Sequence, residues 1–101
     1  MSYAYYEIQV VRWAEARGII PNSNTLAQWK KAQEEMQELK DAIDADDLPA
    51  LKDAVGDVMV CLINLCALAD IDLVGCLAGA YEEIKDRKGY MNEEGIFVKE
   101  A

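Results

Sequence analysis

The sequence contains no histidine, and its three cysteines form no Cys-x-x-Cys pair. Without histidine the chain has neither a Ser-His-Asp nor a Cys-His arrangement, and it lacks the usual general base. The cysteine spacing, together with the missing histidine, argues against a zinc site. Cys61, Cys66 and Cys76 lie in apolar helical sequence, so we expect buried free thiols in a reducing cytoplasm. Any catalysis must therefore use carboxylates, a metal ion and water.

Positive charge and long apolar runs are also scarce. Ten Lys and Arg residues against nineteen Asp and Glu residues give a net charge of −9. This charge disfavours nucleic acid, a polyanion, as a partner, although metal ions can bridge an acidic protein to a nucleotide. No apolar segment reaches the roughly 18–20 uncharged residues that span a bilayer, and the N-terminus lacks the layout of a signal peptide. We expect a cytoplasmic protein that binds neither membranes nor nucleic acid.

Helical periodicity dominates the residues that are present. With 101 residues, of which 52% are apolar, we expect one domain covering 1–101. Apolar positions at spacings of three and four predict four helices, at about 3–17, 26–45, 48–69 and 73–87. Gly18 is expected to end the first helix, with Pro21 blocking its continuation, and Gly89 to end the fourth. The expected fold class is all-α, a four-helix bundle followed by a short extended segment at 95–99.

The third predicted helix is more apolar than a surface helix should be. From Val55 to Ala69 it is apolar on all sides apart from Asp57 and Asn64. Such a helix is normally buried centrally. A chain of four helices cannot wrap it fully, so we expect a homodimer or homotetramer with this helix near the interface.

Carboxylates recur at helical spacing on the second and third predicted helices. Residues three or four apart share a helix face, so Glu35 and Glu38 project together, as do Asp53 and Asp57. The short connection predicts that the two helices pack antiparallel. Glu38 then lies level with Asp53, and Glu35 lies level with Asp57 one turn further along. The spacing thus permits four carboxylates to converge.

Asp57 is the most informative of these acids, because it lies in the most apolar stretch of the chain. Burying a lone carboxylate costs several kcal/mol unless something compensates it, and no Lys, Arg or His lies between Asp53 and Ile84. A hard cation such as Mg²⁺ or Mn²⁺, which binds carboxylate and phosphate oxygens, is the simplest compensation. The cluster therefore predicts metal-assisted attack of water on a nucleotide phosphate. Glu34, beside the cluster, is a candidate to orient the water.

Several other side chains are candidates to bind a nucleotide. Basic residues that could neutralise phosphates are Lys30, Lys31, Lys85, Arg87 and Lys88, and rings that could stack on a base are Trp13, Trp29, Tyr81 and Tyr90. Asn64, seven residues after Asp57 on the same face, could reach the ligand or satisfy a buried backbone group. Each feature also has a structural explanation: a solvated acidic face, a buried structural Asp, a basic last helical turn, or Trp residues of the core.

These motifs together resemble a known family. Glu35-x-x-Glu38 lies within EEMQEL, Asp57 lies within VGDV, and the C-terminal part reads EIKDRKG followed by GIFVK. This combination resembles the MazG-like all-α nucleoside triphosphate pyrophosphohydrolases, especially the short forms of phages and mobile elements. The family pattern is ExxE and then ExxD. Here Ala54 occupies the position of the first acid in the second motif, and Asp53 is the candidate substitute.

The resemblance implies a MazG-like bundle completed by oligomerisation, with sites built partly from a neighbouring subunit. It implies Mg²⁺-dependent hydrolysis of a (deoxy)nucleoside triphosphate to monophosphate and pyrophosphate, with water attacking the α-phosphorus, as nucleotide-pool house-cleaning. The residues it implies are Glu35, Glu38, Asp57 and Asp53 for metal, Glu34 for water, and Lys31, Lys85 and Lys88 for phosphates; Trp13 and Asn64 remain substrate-binding candidates from the sequence pattern alone. The alternatives are a base-specialised dUTP, dCTP or phosphoribosyl-ATP pyrophosphohydrolase, or a non-catalytic helical interaction module.

Overall fold

The computed structural model describes residues 1–100 and confirms an all-α fold with a short extended tail. Within this range the elements are α1 (Tyr3–Ala16), α2 (Ile19–Asn22), α3 (Thr25–Asp44), α4 (Leu48–Leu68), α5 (Leu73–Ile84), β1 (Gly89–Met91) and β2 (Phe97–Lys99). No single helix among these residues is long and apolar enough to cross a membrane. α4 and α5 reach that length and composition only as a pair, and the chain bends by 100° between them.

Side-chain caps set where the four long helices begin. Ser2, Asn24, Asp47 and Asp72 each accept a hydrogen bond from the backbone N–H three positions later. Such caps satisfy N–H groups that have no partner inside the helix, and each is typically worth about 1 kcal/mol. The helix starts predicted at about residues 3, 26, 48 and 73 are therefore confirmed to within one residue.

The break after α1 contains a short helix that the sequence did not predict. Gly18 takes the left-handed conformation (φ 79°) directly after the C-cap Arg17, as expected for a helix end. Pro21, expected to block helix formation, instead lies inside the four-residue helix α2. Proline is tolerated in a first helical turn, because the N–H groups there have no intrahelical partner.

The C-terminal part differs from the prediction in a similar way. α5 ends at Ile84 rather than near Arg87, and Gly89 begins β1 instead of ending a helix. β1 pairs antiparallel with β2, so that Tyr90 lies opposite Val98. Three residues are too few to show a strand periodicity, which explains why only the second strand was anticipated.

α3 and α4 form the central antiparallel pair. Their connection is only three residues long, and the pair is held close by small buried side chains: Ala32 and Ala42 on α3, and Ala54 and Cys61 on α4. Small side chains allow two helices to approach closely, which brings the functional groups that flank them near one another. The antiparallel arrangement predicted from the short connection is confirmed.

The single chain leaves much apolar surface uncovered. Its accessible area is 7588 Å², whereas a folded monomer of its mass exposes about 5,700 Å². Its radius of gyration is 15.9 Å, against about 13 Å for a compact domain of this length. α5 has no buried residue, and Val55 on α4 is 48% exposed. The expected central burial of α4 is therefore only partly provided within one chain.

One buried carboxylate ties α1 to the start of α5. Glu7, on α1, accepts a hydrogen bond of 3.0 Å from the backbone N–H of Val74 in the first turn of α5. A negative charge at a helix N-terminus also interacts favourably with the helix dipole. Because α5 makes few other contacts with the rest of the chain, this bond helps to fix its orientation.

We predict that Glu7→Ala lowers the free energy of unfolding by about 1–3 kcal/mol, because it leaves the Val74 N–H without its partner. Chemical denaturation followed by circular dichroism at a fixed protein concentration measures the change. Glu15→Ala, an exposed glutamate on the same helix, is the matched control and should change stability by less than about 0.5 kcal/mol. Equal effects of the two variants would contradict the role of Glu7.

Candidate functional site

Three carboxylates predicted from the sequence come together between α3 and α4. One oxygen from each of Glu35, Glu38 and Asp57 lies within 4.8 Å of the other two. Glu35 is buried, whereas Glu38 lies at the surface and Asp57 is partly exposed. The antiparallel pairing places one turn of α3 opposite one turn of α4, so acids distant in sequence share a small volume.

The closeness of these groups shifts their acid–base equilibria. A hydrogen bond to Glu35, formed when Glu38 is protonated, raises the pKa of Glu38, and repulsion between the two carboxylates raises it further. Desolvation is the largest cause of the raised pKa of Asp57, followed by repulsion from Asp53 and from Glu35. Ionising all three groups is therefore unfavourable unless a cation enters the cluster.

Lys31 supplies part of the missing positive charge. Its Nζ lies 3.4 Å from a carboxylate oxygen of Glu34 and 3.4 Å from one of Glu35. These two interactions raise the pKa of Lys31, with that of Glu34 the larger. Lys31 contacts only Oε1 of Glu35, and the buried Oε2 has no hydrogen-bond partner.

The donor set fits a hard divalent cation. Mg²⁺ prefers carboxylate oxygens and completes its shell with water or phosphate oxygens. A buried carboxylate oxygen without a partner is costly, because its lost hydration is not replaced. Glu35 Oε2 is such an atom. Glu35 also forms the ion pair with Lys31 and lies beside the other two acids of the cluster. A cation bound through this oxygen would replace its lost hydration.

The other two predicted acids lie at the margin of the cluster. Asp53 is near enough to repel the charge on Asp57, but it is not among the three residues whose oxygens converge. The Glu34 side chain is 70% exposed and contacts Lys31. Ala54, at the position where the family pattern has an acid, is buried.

A cavity of about 390 Å³ extends from the carboxylates along α3 and α4. Its walls come from four helices and consist of Trp13, Ile19, Gln28, Lys31, Glu35, Asp57, Val60, Cys61 and Asn64. Trp13 and Asp57 also line a neighbouring groove with Tyr6 and Val60. Four of the predicted site residues besides Glu35 therefore face one space: Trp13, Lys31, Asp57 and Asn64.

The predicted basic residues of the C-terminal part do not line this cavity. Lys85 forms an ion pair of 2.7 Å with Glu82. The backbone carbonyl of Lys88 accepts a hydrogen bond from the N–H of Glu100, which joins it to the end of the hairpin. Trp29 lines a separate surface groove with Met36.

Gln28 is a cavity residue that the sequence analysis missed. It lies seven residues before Glu35, just as Asn64 lies seven residues after Asp57. Two full helical turns separate the members of each pair, so each amide shares a face with its carboxylate. Antiparallel packing places Glu35 level with Asp57, and the same counting places Gln28 level with Asn64. Gln28 could therefore have been found from the sequence.

The chain was compared with known proteins and families. A family model described as the MazG nucleotide pyrophosphohydrolase domain matches residues 23–91, more than half of the chain. The match includes α3, α4, α5 and β1 and all three clustered carboxylates. The chain therefore belongs to the MazG nucleotide pyrophosphohydrolase family. Searches of curated proteins and of solved structures gave no significant match.

We predict that Asp57→Asn raises the melting temperature of the metal-free protein at pH 7. The folded-state pKa of Asp57 is raised. Ionisation of Asp57 therefore destabilises the folded protein, and the full destabilisation is reached only at pH values above this pKa. The stabilisation by Asn should shrink as the pH falls through this pKa and be smallest well below about 4, where the wild-type carboxyl is protonated in both states.

The same variant should lose most of the melting-temperature rise that millimolar Mg²⁺ gives the wild type, because a ligand that binds only the folded state stabilises it. Differential scanning calorimetry with EDTA or with Mg²⁺ measures both effects. Glu83→Gln, which neutralises an exposed acid on α5, is the control. A variant that responds to Mg²⁺ like the wild type would argue against Asp57 as a ligand.

Proposed function

We propose that this protein hydrolyses nucleoside or deoxynucleoside triphosphates to the monophosphate and pyrophosphate, with Mg²⁺, or Mn²⁺ in its place. The observation that carries the proposal is the cluster of Glu35, Glu38 and Asp57 at one end of a cavity whose other walls include Trp13 and Asn64. Family membership supports the same class of reaction.

The carboxylates would hold the metal, with Glu35, Glu38 and Asp57 as ligands and Asp53 as a fourth acid at the margin. When bound, Mg²⁺ supplies charge neutralisation of the phosphates and a lower pKa for a coordinated water. Glu34, exposed beside the cluster, is the candidate to orient or deprotonate the attacking water. Lys31 lies beside the same carboxylates and is the candidate phosphate contact within this chain.

In the proposed reaction, water attacks the α-phosphorus and the bond to the bridging α–β oxygen breaks. The water oxygen remains on the monophosphate, and pyrophosphate leaves. The biological role would be removal of unwanted nucleotides from the pool. The three cysteines are free, which fits a reducing compartment such as the cytoplasm. Cys61 and Cys66 are buried as expected, whereas Cys76 is exposed, so its expected burial was wrong.

Product identification in ¹⁸O-labelled water tests the proposal. We expect a panel of NTPs and dNTPs to give monophosphate and pyrophosphate only when Mg²⁺ or Mn²⁺ is present, with the label in the monophosphate. Label in pyrophosphate would place the attack on the β-phosphorus. Diphosphate and phosphate as products, or no turnover of any nucleotide, would contradict the proposed reaction, and no turnover would favour a non-catalytic module.

Glu38→Gln should lower kcat/KM by more than about 100-fold, because loss of groups that merely support metal ligands already costs about 10–100-fold. Circular dichroism should remain helical, since Glu38 lies at the surface. Glu83→Gln on α5 is the matched control and should retain turnover. Unchanged turnover of Glu38→Gln would remove Glu38 from the site.

We further propose that the protein is a homodimer or homotetramer. One chain exposes about 1,900 Å² more than a monomer of its mass should, which is the amount an obligate interface can bury per subunit. Leu77, Tyr81 and Ile84 form an exposed apolar stripe on α5. Lys85 and Lys88 follow this stripe, so a neighbouring copy could bring its own basic residues to the site.

Light scattering coupled to size exclusion should give two or four times the chain mass of 11.3 kDa. Leu77→Asp should shift the protein towards smaller species, because it places a charge in the proposed interface. Glu83→Gln, on the same helix, should leave the mass unchanged. A wild-type protein that stays monomeric at tens of micromolar would contradict the assembly.

A further inference from the structure

Two carboxamides lie at the end of the cavity away from the carboxylates. Asn64 is 3% exposed, and its buried Oδ1 has no hydrogen-bond partner. Leaving such a group unpaired is unfavourable, because its lost hydration is not replaced. The sequence left open whether Asn64 satisfies a backbone group or reaches a ligand, and its Oδ1 satisfies no backbone group.

Gln28 lies opposite Asn64 on α3. Each amide is seven residues from its carboxylate, Gln28 before Glu35 and Asn64 after Asp57, which is about 10 Å along a helix axis. All four residues line the same cavity. The Nε2 of Gln28 donates a hydrogen bond of 3.1 Å to the Ser23 hydroxyl, which holds this amide in place.

The chemistry of this end of the cavity differs from that of the carboxylate end. Neutral amides offer one acceptor and two donors each, which matches the edge of a heteroaromatic ring rather than a phosphate. Between the two ends the same cavity has apolar walls from Ile19, Val60 and Cys61, and Trp13, whose residue is 46% exposed, provides a ring that can stack. Paired amide hydrogen bonds are a common way for proteins to distinguish bases.

We infer that Asn64 and Gln28 bind the hydrogen-bonding edge of the nucleobase and determine which base is accepted, with Trp13 stacked on its face. The inference rests on the proposed function for the position of the phosphates. It adds a specificity role for Gln28, and it assigns Asn64 to the base rather than to the sugar or phosphates. The ligand is a nucleotide whose base presents adjacent donor and acceptor groups.

Calorimetric titration tests the inference without requiring turnover. The probes are the four α,β-imido dNTP analogues, which cannot be cleaved at that bond, and inorganic tripolyphosphate, which lacks a base, all with Mg²⁺. The variants are Asn64→Leu and Gln28→Leu, which remove the amides and keep similar volume, and Val60→Ala is the control from the cavity wall. Circular dichroism checks that each variant folds.

We expect Asn64→Leu to weaken binding of the preferred analogue by about 10- to 100-fold and to reduce the differences among bases. Gln28→Leu should act in the same direction, tripolyphosphate should bind all variants equally, and Val60→Ala should preserve the order of preference.

An unchanged order in both amide variants, or equal weakening of tripolyphosphate, would overturn the inference. Base-selective binding that depends on the amides, in a protein without turnover, would contradict only the proposed reaction. No binding of any analogue by the wild type would overturn both.

Discussion

The close antiparallel packing of α3 against α4 is the constraint on which the rest of the structure depends. Small side chains such as Ala32 and Ala54 let the helices approach, and a three-residue connection fixes their register. That register places Glu35 and Glu38 beside Asp57, and one cavity follows the same two helices towards Gln28 and Asn64. A shift of one helix by one residue would turn these faces away from each other.

This packing brings like charges together at a cost in stability. The raised pKa values of Glu38 and Asp57 show that the fold resists ionising them, and the unpartnered oxygens of Glu35 and Asn64 add the cost of lost hydration. A sequence selected only for stability would place apolar residues there. Several destabilising groups gathered in one small region, in a chain with few buried side chains, are typical of a site that binds a ligand.

Helical periodicity and cap chemistry made the long helices and the converging acids predictable from sequence. Both are local patterns, and Asp47 or Asp57 could be placed by counting residues.

Features that depend on tertiary contacts could not be found in this way. Asp53 stays at the margin although its spacing suited the cluster, and β1 is stabilised by its partner strand rather than by its own three residues. Lys85 and Lys88 do not line the cavity, and they follow a helix whose position depends on the 100° bend before α5. Gln28 could be placed by the same counting, but it becomes a candidate only once Asn64 and the acids are recognised as its neighbours across the helix pair.

The ion pair of Lys31 with Glu35 has a consequence for the order in which ligands arrive. In the metal-free protein this ammonium group already compensates part of the charge on the buried carboxylate, so a metal ion held by the cluster would also displace an internal counter-ion. The displaced ammonium would then need a new anion, and a triphosphate supplies one. Metal and nucleotide would each make the other's binding more favourable.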